Sequence, residues 1–201
     1  PGKVPAGPSS FVMQPKGDDT PFARQNRLVF TMNHPKSVGQ PVLALRDLTT
    51  NQDRWITNIG QQLGVNNQIL FQLYQQTPTN QKYHPNARHR FYHVKGHLIV
   101  CQVGMTVYCL DGDTGAKLWE MRTVENFANN GFIVLQQVTA DAEGNPEFIF
   151  RNQQNGQAFR VAVGRIGAVE ASYVAIIGHE GLVVVDPLRG APLWKKGDVS
   201  V

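Results

Sequence analysis

Apolar and β-branched runs a few residues long alternate along this chain with turns rich in Gly, Asp, Asn and Thr, a pattern that predicts strands rather than helices. Residues 27–32 (RLVFTM) and 42–45 (VLAL) read as strands, and the turn at 47–53 delivers Trp55 and Ile56. The clearest set is 90–95, 97–103, 107–110 and 117–122, joined by tight turns at Gly96, Gly104 and 111–115, which predicts a four-stranded meander. Runs such as 98–103 (LIVCQV) are apolar on both faces, as expected where a sheet lies between two neighbours. Further strands are expected at 131–138, 147–151 and 157–163, with the hairpin turn NQQNG at 152–156. The last set is 165–171, 173–177, 182–185 and 192–196. In 68–76 (QILFQLYQQ), Ile69, Phe71 and Leu73 recur at period two, which favours a strand over an amphipathic helix.

A frame repeats within this pattern. Asp47, Asp111 and Asp186 each precede a tryptophan, Trp55, Trp119 and Trp194, by the same interval. Gly115 and Gly190 occupy matching turn positions, and Asn51, which also tolerates the left-handed region, holds that place in the first copy. The turn has a stereochemical logic: Asp and Thr side chains bond nearby backbone N–H groups, and Gly takes a positive φ without steric cost. A Trp projecting from the strand after the turn is expected to lie against the next sheet, burying on the order of 200 Å² of ring.

The stretch LDGDTGAKLW at 110–119 resembles the repeat of pyrroloquinoline-quinone-type (PQQ-like) β-propellers, whose blades end in a strand, Asp-x-x-Thr-Gly-x-x-x-Trp, and a last strand. GLVVVDPLRGAPLW, at 181–194, is similar to the same repeat in large bacterial multi-blade proteins of unassigned function. The resemblance covers most of residues 22–200 and is weakest in the first copy, whose turn reads Leu48-Thr49-Thr50-Asn51. It implies an all-β chain and a WD-like, quinoprotein-like blade; it weakly favours an extracytoplasmic or cell-envelope setting. It identifies a fold and not a reaction.

On this reading residues 1–20, rich in Pro, Gly and Ser, form a linker or arm in which Phe11-Val12-Met13 could make a short edge strand. Residues 21–201 are the propeller segment, with blades at about 22–59, 89–123, a degenerate one at 131–163 that has lost its Trp, and 164–200, plus an insertion at about 60–88. Rings close with about 4–8 blades, so the expectation is an open arc. Its two uncovered faces, near the first repeat and beside Trp194, would be hidden by self-association, by the arm, or by the remainder of a larger propeller.

Composition narrows the function classes. A hydrophobic fraction of 41% with 17% charged residues belongs to a packed globular chain. The net charge of +4 is not concentrated in any Lys/Arg run, so nucleic acid is not the expected partner. No window reaches the ~18–20 apolar residues of a membrane span. The opening Pro1-Gly2-Lys3 lacks both an initiator Met and a signal-peptide pattern and reads as a cut.

Catalytic and metal chemistry finds little support. Quinone-dependent members of the resembled family use acidic and amide calcium ligands, a stacking Trp and often a vicinal cystine; this chain has no Cys-Cys pair and no acidic cluster beyond the repeat positions. His84, His89, His93 and His97 lie close in sequence, but strand residues four apart are ~13 Å apart, too far for one metal held at ~2 Å. The patterns CxxC, HExxH, CxxCH, GxSxG and GxxxxGK[ST] do not occur. Cys101 and Cys109 are equidistant from Met105, so a symmetric three-residue loop would set them across from each other at ~4.5–5.5 Å, long for a cystine at ~3.8 Å. Buried free thiols are favoured over a disulfide. No catalytic residue, cofactor or metal ligand is therefore assigned. The expected function is a non-catalytic scaffold or protein-interaction segment of a larger bacterial protein. The alternatives are a ligand- or polysaccharide-binding module using Tyr74, Tyr83 or Phe127, and a fragment of a quinone-dependent oxidoreductase.

Overall fold

The computed structural model describes residues 10–16, 21–59, 91–124, 133–140 and 146–197. Among them the fold is all-β apart from one short helix, α1 (Pro21–Gln25). Four sheets follow one another along the chain. The first orders β1 (Ser10–Val12), β3 (Asn26–His34), β4 (Ser37–Asp47) and β5 (Asp53–Asn58). The second orders β2 (Gln14–Pro15), β6 (Phe91–Lys95), β7 (Leu98–Val103), β8 (Thr106–Asp111) and β9 (Lys117–Arg122). The third holds β10 (Ile133–Ala140), β11 (Pro146–Asn152) and β12 (Ala158–Ala162), and the fourth is β13 (Arg165–Val169), β14 (Val174–Gly178), β15 (Gly181–Val185) and β16 (Pro192–Lys196). The proposed insertion at 60–88, with its strand at 68–76, lies outside the described residues, as do His84 and His89.

Within the segment expected to be an arm, residues 10–15 enter two sheets, and the short edge strand expected at 11–13 lies at Ser10–Val12. β1 pairs antiparallel with β3 and supplies the fourth strand of the first sheet, and β2 pairs parallel with β6 in the second. Between them Met13 is 2% exposed and its N–H donates to Leu28 O at 2.9 Å. A few residues thus tie the edges of two sheets, which a Pro- and Gly-rich composition alone does not reveal.

Alternation then divides the second sheet between two cores. Leu28, Phe30, Leu43, Leu45 and Trp55 of the first sheet meet Tyr92, Ile99, Cys101, Tyr108 and Leu110 of the second in one buried cluster, which Phe150 and Val163 of the third region join. The opposite face of the second sheet, with Val100, Val107, Cys109 and Trp119, packs on Val169, Val174, Ile176 and Val185 of the fourth. The second and fourth sheets are therefore direct neighbours, and the third is not interposed between them. Polar ties across that junction include Gln102 Nε2 donating to Gly164 O at 2.8 Å and His179 N–H donating to Thr123 O at 2.8 Å.

Register corrects the expected cysteine geometry. β7 and β8 are joined by a two-residue turn, so Cys101 pairs with Tyr108 and Cys109 with Val100. One residue of offset puts the two side chains on opposite faces, Cys101 in the first core and Cys109 in the second. Both are free, buried thiols.

The ends of the arc differ. On the face of the first sheet turned away from the second, Val29, Val42 and Ala44 are buried. At the other end every residue of β16 is exposed.

Candidate functional site

The repeated turn is built the same way in each copy. Asp47 Oδ1 accepts from Thr49 N–H at 2.7 Å and Thr50 N–H at 3.0 Å. Asp111 Oδ1 accepts from Asp113 N–H, Thr114 N–H and the Thr114 hydroxyl at 2.8–3.0 Å. Asp186 Oδ1 accepts from Leu188 and Arg189 N–H, both at 2.8 Å. These donors hold the Asp47 and Asp111 carboxyls below the usual carboxylate range, chiefly through the Thr50 and Thr114 N–H groups respectively. Asn51 (φ 55°), Gly115 (φ 74°) and Gly190 (φ 66°) close the turns in the left-handed region.

A bulge after each turn aims the tryptophan. In β5, β9 and β16 the register slips by one residue, so Trp55 pairs with Leu45, Trp119 with Cys109 and Trp194 with Val184. The extra residues, Arg54, Leu118 and Leu193, are exposed. An added residue of this kind re-aims the side chain next to it.

Trp55 and Trp119 each clasp the turn of the next stacked sheet. Trp55, 7% exposed, donates its indole N–H to Gly112 O at 2.8 Å and lies over Gly115, where a Cβ would come within 2.5 Å of the ring. The Thr57 hydroxyl donates to Gly115 O beside it. Trp119, 8% exposed, donates to Pro187 O at 2.7 Å and lies over Gly190, where a Cβ would stand 2.6 Å from the ring. Cys109 Sγ donates to the same carbonyl at 3.5 Å. The glycines are thus required twice, for φ and for the ring's approach. Trp194 sits in the same register but is 50% exposed, with Leu188 at 56% and Leu193 at 55% in the same turn and strand. The eight repeat positions thus resolve into two complete clasps, an unfilled first turn at Asp47–Asn51, and one open tryptophan.

A fourth copy of the turn carries neither the Asp nor the Trp of the repeat. Asn152 Oδ1 accepts from Gln154 N–H at 2.9 Å, Gly156 N–H donates to Asn152 O at 2.8 Å, and Gly156 has φ 71°. No bulge comes after it, so Phe159, one residue earlier in the frame, pairs with Phe150 where the others place Trp. The two rings stack at 5.8 Å and Phe159 packs against the first core. The third sheet has replaced the aromatic, not lost it. An Asn-x-x-x-Gly spacing followed by an aromatic at seven residues was the available signal.

Other constellations are structural. Asp53 is gripped by Arg46 Nε at 2.9 Å and His34 Nε2 at 3.0 Å, while His34 Nδ1 accepts from Lys36 N–H at 3.1 Å. Burial opposes the Asp53 charge, but the Arg46 and His34 hydrogen bonds outweigh it and lower its pKa. With both imidazole nitrogens occupied, His34 fastens β3, β4 and β5 and has no ring nitrogen left for a substrate. His97 Nε2 stands 3.9 Å from Asp111 Oδ2 at the surface. Among the described residues no group of three or more His, Cys, Asp or Glu side chains is placed to hold a metal, and no helix is long and apolar enough to cross a membrane. Tyr74, Tyr83 and Phe127 lie outside the described residues.

No family model matches the chain, and no curated protein matches it. Among solved structures it is similar to Hsv2 of Kluyveromyces lactis (10% identity, TM-score 0.28, 86% of this chain and 48% of that one). It is also similar to the quinohemoprotein alcohol dehydrogenase of Comamonas testosteroni (11%, 0.31, 94% and 35%) and to the WD40 domain of SCAP from fission yeast (8%, 0.25, 86% and 53%). The chain spans about half or less of the length of each, and similarity at this level assigns it neither substrate nor partner.

Proposed function

We propose that this chain is a non-catalytic propeller segment that works as a scaffold or protein-interaction module. The observation that carries the reading is the inequality of its tryptophans: two are seated under a neighbouring turn, while the third stands open on a wholly exposed strand with Leu188 and Leu193. Large exposed apolar side chains grouped on one edge mark an interaction surface. A polypeptide is the partner favoured by this edge, because both filled clasps receive backbone carbonyls and glycines, not side-chain ligands or ions. Trp194 is also an exposed aromatic of the sort a polysaccharide platform uses, yet the leucines near it give a sugar no hydrogen-bonding group. The test is a photo-crosslinking amino acid at Leu193 in cells expressing the full chain, with the same probe at exposed Arg54 as control. Adducts to a polypeptide specific to position 193 are expected; equal labelling at both positions would refute the proposal.

A further inference from the structure

The open tryptophan has a defined complement, because the chain shows twice what a clasped Trp takes: the carbonyl of the residue after the Asp, and a glycine at positive φ whose missing Cβ admits the ring. Two turns of this kind carry no Trp among the described residues, the first (47–51) and the one in the third sheet (152–156). They are not equivalent. Asn51 carries a Cβ at the position where, in Gly115 and Gly190, a Cβ would come within 2.5–2.6 Å of the indole. That turn therefore refuses the ring in the observed pose, and the buried Val29, Val42 and Ala44 close the same end of the stack. Gly156 does not refuse it. A Cβ there would meet only Arg151 Nη2, at 3.7 Å, and the glycine opens into a hollow of about 350 Å³ lined by Gln136, Arg151, Gln153 and Gly156.

From these observations we infer that Trp194 of one copy seats on the Asn152–Gly156 turn of a second copy, donating its indole N–H to Gln153 O. The inference rests on the reading of the Trp194 edge as an interaction surface. Each chain carries both a projecting Trp and a vacant seat, so two copies can exchange tryptophans reciprocally. That arrangement closes as a two-fold pair and leaves neither element over, whereas a one-way contact would run on as a filament. The Arg151 guanidinium beside the seat gives the indole face a cation to rest against, a favourable pairing when the site is shielded from water. Docking would also cover Leu193, which the bulge thrusts outward next to Trp194.

Sedimentation of the purified full chain from low to high micromolar concentration tests this, with two variants. Trp194→Ala removes the projecting ring. Gly156→Asn blocks the seat with a residue that the chain already accommodates at the equivalent place in its first turn, at φ 55°, so the turn itself is expected to persist. The wild-type chain should form a dimer, and each variant should weaken it about 30-fold or more, the loss typical of an interfacial hot-spot aromatic. Mixing the two variants restores one clasp of the two, so the mixture should associate where neither variant alone does. A wild-type chain that stays monomeric throughout overturns the inference. So does a dimer that survives Gly156→Asn but not Trp194→Ala, although the Trp194 edge would then stand as an interaction surface. A dimer that survives both variants overturns the seat and the edge together.

Discussion

Replacing Trp119 by Ala and, separately, Trp194 by Ala perturbs one residue type in one register and should give very different costs. Trp119 is 8% exposed. Removing about 200 Å² of buried ring at ~25 cal/mol/Å² forfeits at most ~5 kcal/mol, and a compact denatured state reduces this to ~3–4. Loss of the 2.7 Å bond to Pro187 O adds roughly 1 kcal/mol. The sum, about 4–5 kcal/mol, lies within the range for large aromatics truncated in a core. Trp194 is half exposed and leaves no enclosed cavity, so its removal should cost ~1 kcal/mol in the monomer. The assay is urea unfolding followed by far-UV circular dichroism at a chain concentration low enough to keep copies apart, comparing midpoints at a shared slope. In thermal melts the Trp119 variant should fall by about 10 °C. If the two variants differ by less than about 1 kcal/mol, the clasp is not what holds the second and fourth sheets together.

Gly115→Ala should destabilise by about 2–4 kcal/mol, combining a left-handed alanine with a displaced Trp55 ring, whereas Asn51→Gly should change stability by less than about 1 kcal/mol; the same urea titrations decide both. Asp47, Asp53 and Asp111 have folded pKa values held below their unfolded ones. The stability they contribute is therefore complete above the usual carboxylate range near pH ~3.9 and lost as pH falls through the lower folded values. Melting temperatures should hold through mild acid and drop below it, and Asp111→Asn should flatten that drop; an unchanged acid limb would remove Asp111 from the account. Burial pushes the Cys109 thiol up to about 12 and Cys101 higher still, so neither should react with an aromatic disulfide reagent at neutral pH until the chain is unfolded. Two thiols should then titrate without reductant, and none would mean a cystine despite the opposite-face register.

The turn was legible because every position in it has a local reason: an acceptor at Asp111 for two N–H groups and a hydroxyl, and a left-handed residue at Gly115. The tryptophan was legible for the same reason, standing a fixed distance from that turn. Where the rings go was not. Trp55 and Trp119 bond carbonyls 57 and 68 residues away in sequence, and nothing local says that the second sheet stacks on the fourth. A short strand near Phe11-Val12-Met13 was legible but its partner was not, and Gln14-Pro15, too short to show any periodicity, is a strand only through its pairing with β6. Counting loop residues misplaced Cys101 and Cys109 by one step, and one step is a change of face.

That sensitivity to a single residue also orders the ends of the molecule. The bulges at Arg54 and Leu118 precede a Trp that reaches the next sheet, and the bulge at Leu193 precedes one that stands open. In the third sheet, which has no bulge after its turn, Phe159 takes the equivalent position and packs against the first core. A sheet with the bulge therefore reaches forward, and a sheet with glycine in its turn can be reached. The second and fourth sheets do both: each presents a glycine that is occupied, and each extends a Trp. The first sheet reaches forward through Trp55 but, with Asn51 and a buried outer face, is closed to any ring behind it. The third can be reached at Gly156 but extends nothing. Among the described residues, adding up forward-reaching and receiving elements leaves one of each unmatched, Trp194 and Gly156. The stack is thus directional: among the described residues the unmatched elements of the clasp lie on the fourth sheet and the third, and the first turn, with Asn51 in place of glycine, offers no seat in the observed pose.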